Sequence, residues 1–556
     1  MNNVDVTLAH ELTGPDDLRF DLEAPETGGD PVLKVVTKRP MSLTTIMPHL
    51  AALGVEVTEE RPSELVVDGE KVLSYELGFR TSEGVDFTDD ELQRFADGLR
   101  ASYFGKAEAG RMTRLIMTAG LTWQQVVFLR AMSRYLQQAG IPFSQTYISM
   151  ALNANTSIAA ALVDAFEIKF DPKRPFADQA ARQAAFEAAV AAIEASLDKV
   201  ASLDHDRIIR MQLALLRAMV RTNAFADDQP ALAFKLLPRQ LDLLPEPRPR
   251  FEIFVYAPDV HGVHLRYGMV ARGGLRWSDR AEDFRTEVLG LVKAQMVKNT
   301  VIVPVGAKGG FVPQHLPDPS VDRAGWQAGG VAAYKKFINS LLSITDNIVD
   351  GHVVPPKDVI RYDGDDPYLV VAADKGTATF SDTANGIALE RGFWLGDAFA
   401  SGGSVGYDHK GMGITARGAW ESVKRHFFEM GKDCQTEDFT CVGIGDMAGD
   451  VFGNGMMLSE HTKLVAAFNH LHVFLDPNPD AASSFAERVR LFNLKGSTWA
   501  DYNAELISAG GGVFPRSAKS IPTGPEVRAA LGLPDSVTKM TPTELINAIL
   551  KAPVDL

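Results

Sequence analysis

The chain has 556 residues, of which 46% are hydrophobic and 23% charged, with a formal net charge of −15. At about 150 residues per domain this describes a folded protein of three or four domains, not a disordered chain, and its acidic balance excludes a broad nucleic-acid binder. No apolar run reaches the roughly 18 residues of a membrane-spanning helix. Asp5, His10, Glu11 and Asp16 stand where a secretory signal would be apolar, and two cysteines, Cys434 and Cys441, are too few for a disulfide framework, so a reducing, cytoplasmic location follows.

Along the chain, the first 30 or so residues, with Thr13-Gly14-Pro15 and Gly28-Gly29, read as loop or a broken sheet edge. Strand patterns follow at Leu33 to Val36, Val55 to Val57, Glu64 to Val67 and Val72 to Phe79. Ser42 is placed to cap a helix through Leu53. Together these predict a small βαβ-type α+β module within residues 1–85. Residues 86–240 read as helical: Leu92, Phe95 and Leu99 are spaced three and four apart, and Ala180 to Leu197 is alanine-rich without proline. The stretch Leu237 to Arg250, with four prolines, reads as a linker and the clearest domain boundary.

After it, Phe251 to Tyr256 and Val263 to Tyr267 read as strands, a helix runs from Asp279 to Lys298, and Val301 to Val303 is a short strand. Strand-like and helix-like segments then alternate, which implies α/β architecture. Thr541, Pro542 and Glu544 open a capped helix to Leu550, and Ala552 to Leu556 begins what looks like a further strand.

Three places have the residue types for chemistry. Gly443-Ile444-Gly445-Asp446-Met447-Ala448 follows a strand and precedes a helical pattern, as the dinucleotide fingerprint G-x-G-x-x-G/A requires. Its alternative is an ordinary glycine-rich turn. Glycines there let the backbone approach a pyrophosphate at a helix N-terminus. Asp476, at the end of the strand-like His472 to Leu475, is placed to hold a ribose hydroxyl and to repel a 2′-phosphate, although it comes later than the usual ~20 residues.

Lys308, in Gly306-Ala307-Lys308-Gly309-Gly310, is no P-loop lysine, because Ala307 precedes it and Gly309 follows. With little side-chain bulk around it, it is either a buried catalytic amine or a surface loop lysine. Asp374, after Val370 to Ala373, stands where α/β sheets place ligand chemistry, or else caps the next helix. His261 with His264 and His470 with His472 lack a partner at metal-ligand spacing. From Arg266 to Lys308, eight basic residues face four acidic ones, a local +4 that suits a small anion or is a solvated helix face.

Arg272-Gly273-Gly274-Leu275-Arg276-Trp277, the helix carrying Lys298, Lys308, Asp374 and then G-x-G-x-x-A occur in the order seen in amino-acid dehydrogenases of the glutamate dehydrogenase type. Gly274 to Leu289 (GLRWSDRAEDFRTEVL) and Val442 to Gly455 (VGIGDMAGDVFGNG) resemble the large NAD-specific bacterial glutamate dehydrogenases. The resemblance covers about 30 to 556. It implies an ACT-like module (1–85), a helical segment (86–240), a substrate-binding catalytic domain (241–415) and a Rossmann-type nucleotide domain (416–556) that is incomplete at Leu556.

It also implies NAD as cofactor, L-glutamate, 2-oxoglutarate and ammonia as reactants, and a homo-oligomer in the full-length protein. Lys308 resembles the lysine that polarises substrate and activates water, and Asp374 the acid/base. Lys298 resembles the lysine on the α-carboxylate, with Gly274 and Gly309 also at the substrate. Arg272 stands where small members carry a lysine for the side-chain carboxylate, a role a guanidinium fork fills bidentately. Thr415, in Gly413 to Gly418, resembles the threonine near the nicotinamide amide. Gly443, Gly445, Asp446, Met447 and Ala448 take the nucleotide.

Two other readings stand beside this one. The chain is an inactive fragment whose ACT-like module binds an amino acid or serves assembly, or it is a dehydrogenase for branched or aromatic amino acids. The distal carboxylate that Arg272 and the basic island suit speaks against the latter.

Overall fold

The computed structural model describes residues 3–14, 17–23, 30–81, 88–227, 229–295, 306–373, 379–406 and 409–556. The chain forms two compact units, Met1–Ser401 and Gly402–Leu556.

The first unit opens with helix α1 (Asn3–His10) and strand β1 (Leu18–Glu23), where the sequence reading expects loop. The signal for β1 is the burial of Leu18 and Phe20, two residues apart. Strands β2 (Val32–Thr37), β3 (Val55–Val67) and β4 (Glu70–Thr81), with helix α2 (Leu43–Ala52) after β2, complete an antiparallel sheet of order β1-β2-β4-β3. Because β2 and β3 both pair antiparallel with β4, they run parallel to each other, a βαβ unit with a strand inserted. The two short strands expected at 55–57 and 64–67 are one strand of 13 residues. Its exposed middle carries no hydrophobic alternation, and backbone pairing with β4 holds it in place.

Seven helices follow: α3 (Asp89–Tyr103), α4 (Leu115–Thr118), α5 (Trp123–Gln138), α6 (Gln145–Asn153), α7 (Thr156–Phe170), α8 (Gln179–Leu197) and α9 (Leu203–Ala218). Thr88 with Glu91 and Thr122 with Gln125 form capping boxes at the starts of α3 and α5. Buried Lys169 donates to the carbonyls of Leu216, Arg217 and Met219, closing the end of α9. Burial pulls its ammonium down to about 7.

The second sheet of this unit has eight strands: β5 (Met219–Thr222), β6 (Leu232–Leu236), β7 (Phe251–Ala257), β8 (Val260–Arg266), β9 (Gly273–Trp277), β10 (Ala307–Pro313), β13 (Val371–Ala373) and β14 (Ala400–Ser401). A small separate hairpin, β11 (Asn347–Val349) with β12 (His352–Val354), precedes β13, and helix α12 (Ser381–Glu390) lies between β13 and β14 in the chain. The order is β14-β13-β9-β10-β8-β7-β6-β5. From β5 to β8 and on to β10 every pairing is antiparallel, whereas β10, β9, β13 and β14 pair in parallel. Strand β10 is therefore the seam between the two halves. Helix α10 (Phe284–Gln295) covers one face of β10, while α11 (Arg323–Leu342) packs on the other face of the sheet at β8.

The boundary expected at 240/241 falls inside this sheet, because Leu236 of β6 pairs with Glu252 of β7 across the proline-rich stretch. A buried charge network holds these strands to the loop 361–366. Arg221 bonds Asp346 and Asp363, Lys235 bonds Asp363 and Asp366, and Arg266 bonds Asp366.

The second unit carries helices α13 (His409–Met412) and α14 (Ile414–Glu429). Four strands follow, β15 (Phe439–Ile444), β16 (Thr462–Phe468), β17 (His472–Leu475) and β18 (Gly512–Pro515), in that order across the sheet. Only β15 and β16 are parallel, joined through α15 (Asp450–Gly455); β17 and β18 are antiparallel additions. The expected capping box of Thr541 and Glu544 starts the helix Pro542–Ile549. Leu556 lies along β15, its N–H donating to Thr440 O at 3.1 Å and its carbonyl accepting from Val442 N at 3.0 Å.

Candidate active site

In the first unit, Lys308 sits on strand β10 instead of in a loop and is 7% exposed, so it is not a surface lysine. Its glycine neighbours serve packing. A Cβ on Gly309 would lie 2.4 Å from Leu275 of β9, and one on Gly310 would lie 2.6 Å from Val288 of α10. Across the parallel seam, Arg272 bridges Gly306 and Gly309 pairs with Leu275, which lays the Arg-Gly-Gly and Gly-Ala-Lys motifs side by side. A Cβ on Gly273 would fall 1.4 Å from the carbonyl oxygen of Ala307, so only glycine lets the two backbones approach this closely. Gly274 pairs in turn with Ala372 of β13. Lys298 and Asp374 lie outside the described residues.

Arg272 is exposed and makes no ion pair among the described residues. Half of the eight-residue basic island is otherwise engaged, which corrects its reading as one anion-attracting surface. Arg276 pairs with Glu287 at 2.8 Å, Arg280 with Asp283, Arg266 with Asp366, and Arg285 with Glu252 at 2.7 Å. Glu252 and Asp366 lie outside the counted window, so a local charge sum misses them. The Arg285–Glu252 pair is bidentate and buried, and Arg285 N–H donates to Gln138 of α5. Glu287 also accepts from Ser278 Oγ at 2.6 Å, tying α10 to the Gly-Leu-Arg-Trp strand. Sequence reasoning missed the anchors of Arg266, Arg276 and Arg285 because each joins residues from different elements.

In the second unit, Gly443 is the last but one residue of β15, before Ile444, and Gly445 turns the chain at φ +138°. Phe452 of α15 occupies the space beside both: its ring lies 2.3 Å from a Cβ built on Gly443, and its own Cβ lies 2.8 Å from one on Gly445. Asp446 closes the loop on itself, accepting from Ala448 N at 3.0 Å, Gly449 N at 3.1 Å and Asn469 Nδ2 at 2.6 Å. The backbone N–H groups of Asp446 and Met447 donate to nothing among the described residues. Two unpaired donors beside glycines too tight for a side chain fit the pyrophosphate of a dinucleotide. Met447 is buried, Ala448 is half-buried, and Thr415 is exposed on the first turn of α14.

Asp476 does not belong to this loop, and its assignment to a ribose is corrected. Strand β17 runs back along β16, so Asp476 N–H meets Val465 O at 2.8 Å, whereas the glycine loop meets Phe468 at the other end. Asp476 is 0% exposed and accepts from Ser508 N and Oγ at 2.9 and 2.5 Å. Burial pushes its carboxyl above the ordinary range. The residue at the carboxyl end of β16 is Asn469, which the run Thr462 to Phe468 before it would have indicated. Cys441 on β15 is buried, which pushes its thiol up to about 12 and leaves it inert.

A family model described as bacterial NAD-glutamate dehydrogenase, catalytic domain, matches residues 192–556. Models for glutamate dehydrogenase helical motif 3 and the glutamate dehydrogenase ACT3 domain match residues 107–172 and 18–92. The chain is 53% identical to the NAD-specific glutamate dehydrogenase of Mycobacterium tuberculosis, over 99% of this chain and 35% of that protein. It is 55% identical to that of Pseudomonas aeruginosa, over 93% of this chain and 32% of that protein. The chain thus spans about a third of the length of the curated relatives it matches. Against the solved glutamate dehydrogenase 2 of Plasmodium falciparum the TM-score is 0.33, at 13% identity over 68% of each chain. A value that low leaves the fold to be argued from the chain's own strands.

Proposed function

The chain belongs to the bacterial NAD-glutamate dehydrogenase family, and from that premise we propose that it carries out NAD-dependent oxidative deamination of L-glutamate to 2-oxoglutarate and ammonia. The observation that carries the reading is Lys308, a lysine 7% exposed on the seam strand of an α/β sheet with the Arg-Gly-Gly strand bonded beside it. Bound NAD supplies the hydride acceptor.

The chain's own residues do the rest. Arg272 takes the side-chain carboxylate of glutamate and Lys298 its α-carboxylate, with the Gly274 and Gly309 backbones at the substrate's edge. As the α-carbon loses hydride, the amine becomes an iminium. Lys308 orients the water that adds to it, and Asp374 takes and returns the proton as ammonia leaves. Gly443, Gly445, Asp446, Met447 and Ala448 form the pyrophosphate side of the nucleotide site, and Thr415 meets the nicotinamide amide. In the full-length protein the same chemistry runs in a cytoplasmic homo-oligomer.

Comparing glutamate with leucine and phenylalanine as substrates, by NADH formation, tests the substrate class. Glutamate should exceed both in kcat/KM by at least about 100-fold, because a site built for a distal carboxylate leaves charge unpaired with the others. Equal turnover of leucine overturns the assignment of Arg272. Binding of glutamate with no turnover of any of the three favours a regulatory, amino-acid-binding role instead.

A further inference from the structure

Trp499 is 0% exposed, in a short 3-10 turn (Trp499–Asp501) capped by Thr498. Its indole stacks on Phe474 of β17 at 4.6 Å and 20°, and meets Phe452 of α15 edge-on at 5.8 Å and 90°. Packing alone would be satisfied by any large ring. The indole N–H, however, donates to the carbonyl of Gly445 at 2.9 Å. On the other side of the same residue, Gly445 N–H donates to Phe468 O at 2.8 Å. Both peptide groups of Gly445 are therefore fixed in a loop whose φ of +138° leaves glycine many alternatives.

In a trans peptide the carbonyl and the following N–H point in opposite directions. Holding the Gly445 carbonyl on the buried indole turns the Asp446 N–H away from the core. That N–H, with its neighbour on Met447, is a donor without an acceptor among the described residues. We infer that Trp499 is a positioning residue for the dinucleotide: through Gly445 it aims the Asp446 N–H at the pyrophosphate. The inference rests on the reading of this loop as the NAD site. It assigns the indole N–H a role in binding phosphate, not the nicotinamide or the adenine.

The test titrates the full chain calorimetrically with NAD, with ADP-ribose, which keeps the pyrophosphate, and with adenosine, which lacks it. Trp499→Phe retains a stacking ring and loses the donor. It should weaken NAD and ADP-ribose about tenfold, the value of one hydrogen bond to a charged group, and leave adenosine unchanged. Phe474→Leu loosens the stack but keeps the donor. It should lower the melting temperature without changing the ratio of ADP-ribose to adenosine affinity.

If Trp499→Phe does not fold, the benzothiophene analogue of tryptophan at position 499, with sulfur for N–H, carries the same expectation. Equal weakening of all three ligands, or the same change of ratio in Phe474→Leu, makes Trp499 a packing residue and overturns the inference. NAD binding by the parent that Trp499→Phe leaves unaltered overturns the inference alone. Absence of NAD binding by the parent overturns the reading of the loop and the inference with it.

Discussion

The lysine strand β10 and the nucleotide loop after β15 are both glycine-rich, and they use glycine for different ends. On β10, Gly309 and Gly310 are ordinary strand residues that make room for Leu275 and Val288. Around Gly445 the chain needs both the room taken by Phe452 and a backbone angle that side chains disfavour. Glycine density in the sequence thus marks close approach in both places. It does not say whether the approach is strand to strand or backbone to ligand.

The strongest way to break this contrast is Gly273→Ala. The added carbon meets a carbonyl of the neighbouring strand at 1.4 Å, and neither backbone can move without opening the parallel seam. A loss above about 4 kcal/mol in denaturant unfolding, or failure to fold, is expected. Gly445→Ala strains one loop and meets the Phe452 Cβ at 2.8 Å, a contact relieved by a shift of the short helix α15 and not by opening a sheet. It should cost about 1–3 kcal/mol and weaken NAD more than glutamate. If the two substitutions cost the same, the distinction between strand glycine and loop glycine fails.

Asp476→Asn sharpens the comparison further, with the smallest effect. The folded chain holds the Asp476 proton more tightly than the unfolded chain, because burial raises its pKa. Stability contributed by this group is therefore present at acid pH and falls as pH rises through the raised value. Asn should remove that part of the pH dependence, read as the difference between parent and variant in unfolding from pH 4 to 7. NAD affinity should change less than about twofold, within the small effects of sites away from the ligand. A large loss of NAD affinity would return Asp476 to the nucleotide site.

The sequence was most legible where neighbours along the chain decide the structure. The cap of Thr541 and Glu544, the alanine-rich helix Gln179–Leu197 and the glycine turn before α15 are local, and each is found where expected. It was least legible where pairing is distant. Leu236 and Glu252 are strand partners across four prolines, so a composition change that looks like a domain boundary is a loop within one sheet. Arg266 and Arg285 find their acids in Asp366 and Glu252, beyond any short window. Asp476 is the first acid after a strand, but the strand that counts is the parallel one, which ends at Phe468, just before Asn469.

The most direct test follows NADH absorbance as the purified chain meets L-glutamate and NAD, with Lys308→Ala run beside it and its folding checked by circular dichroism. The account predicts NADH formation by the parent and a loss of about 1,000-fold or more in the variant, the scale of removing a group that acts in the chemical step. NADH formation that survives the loss of Lys308 would contradict it.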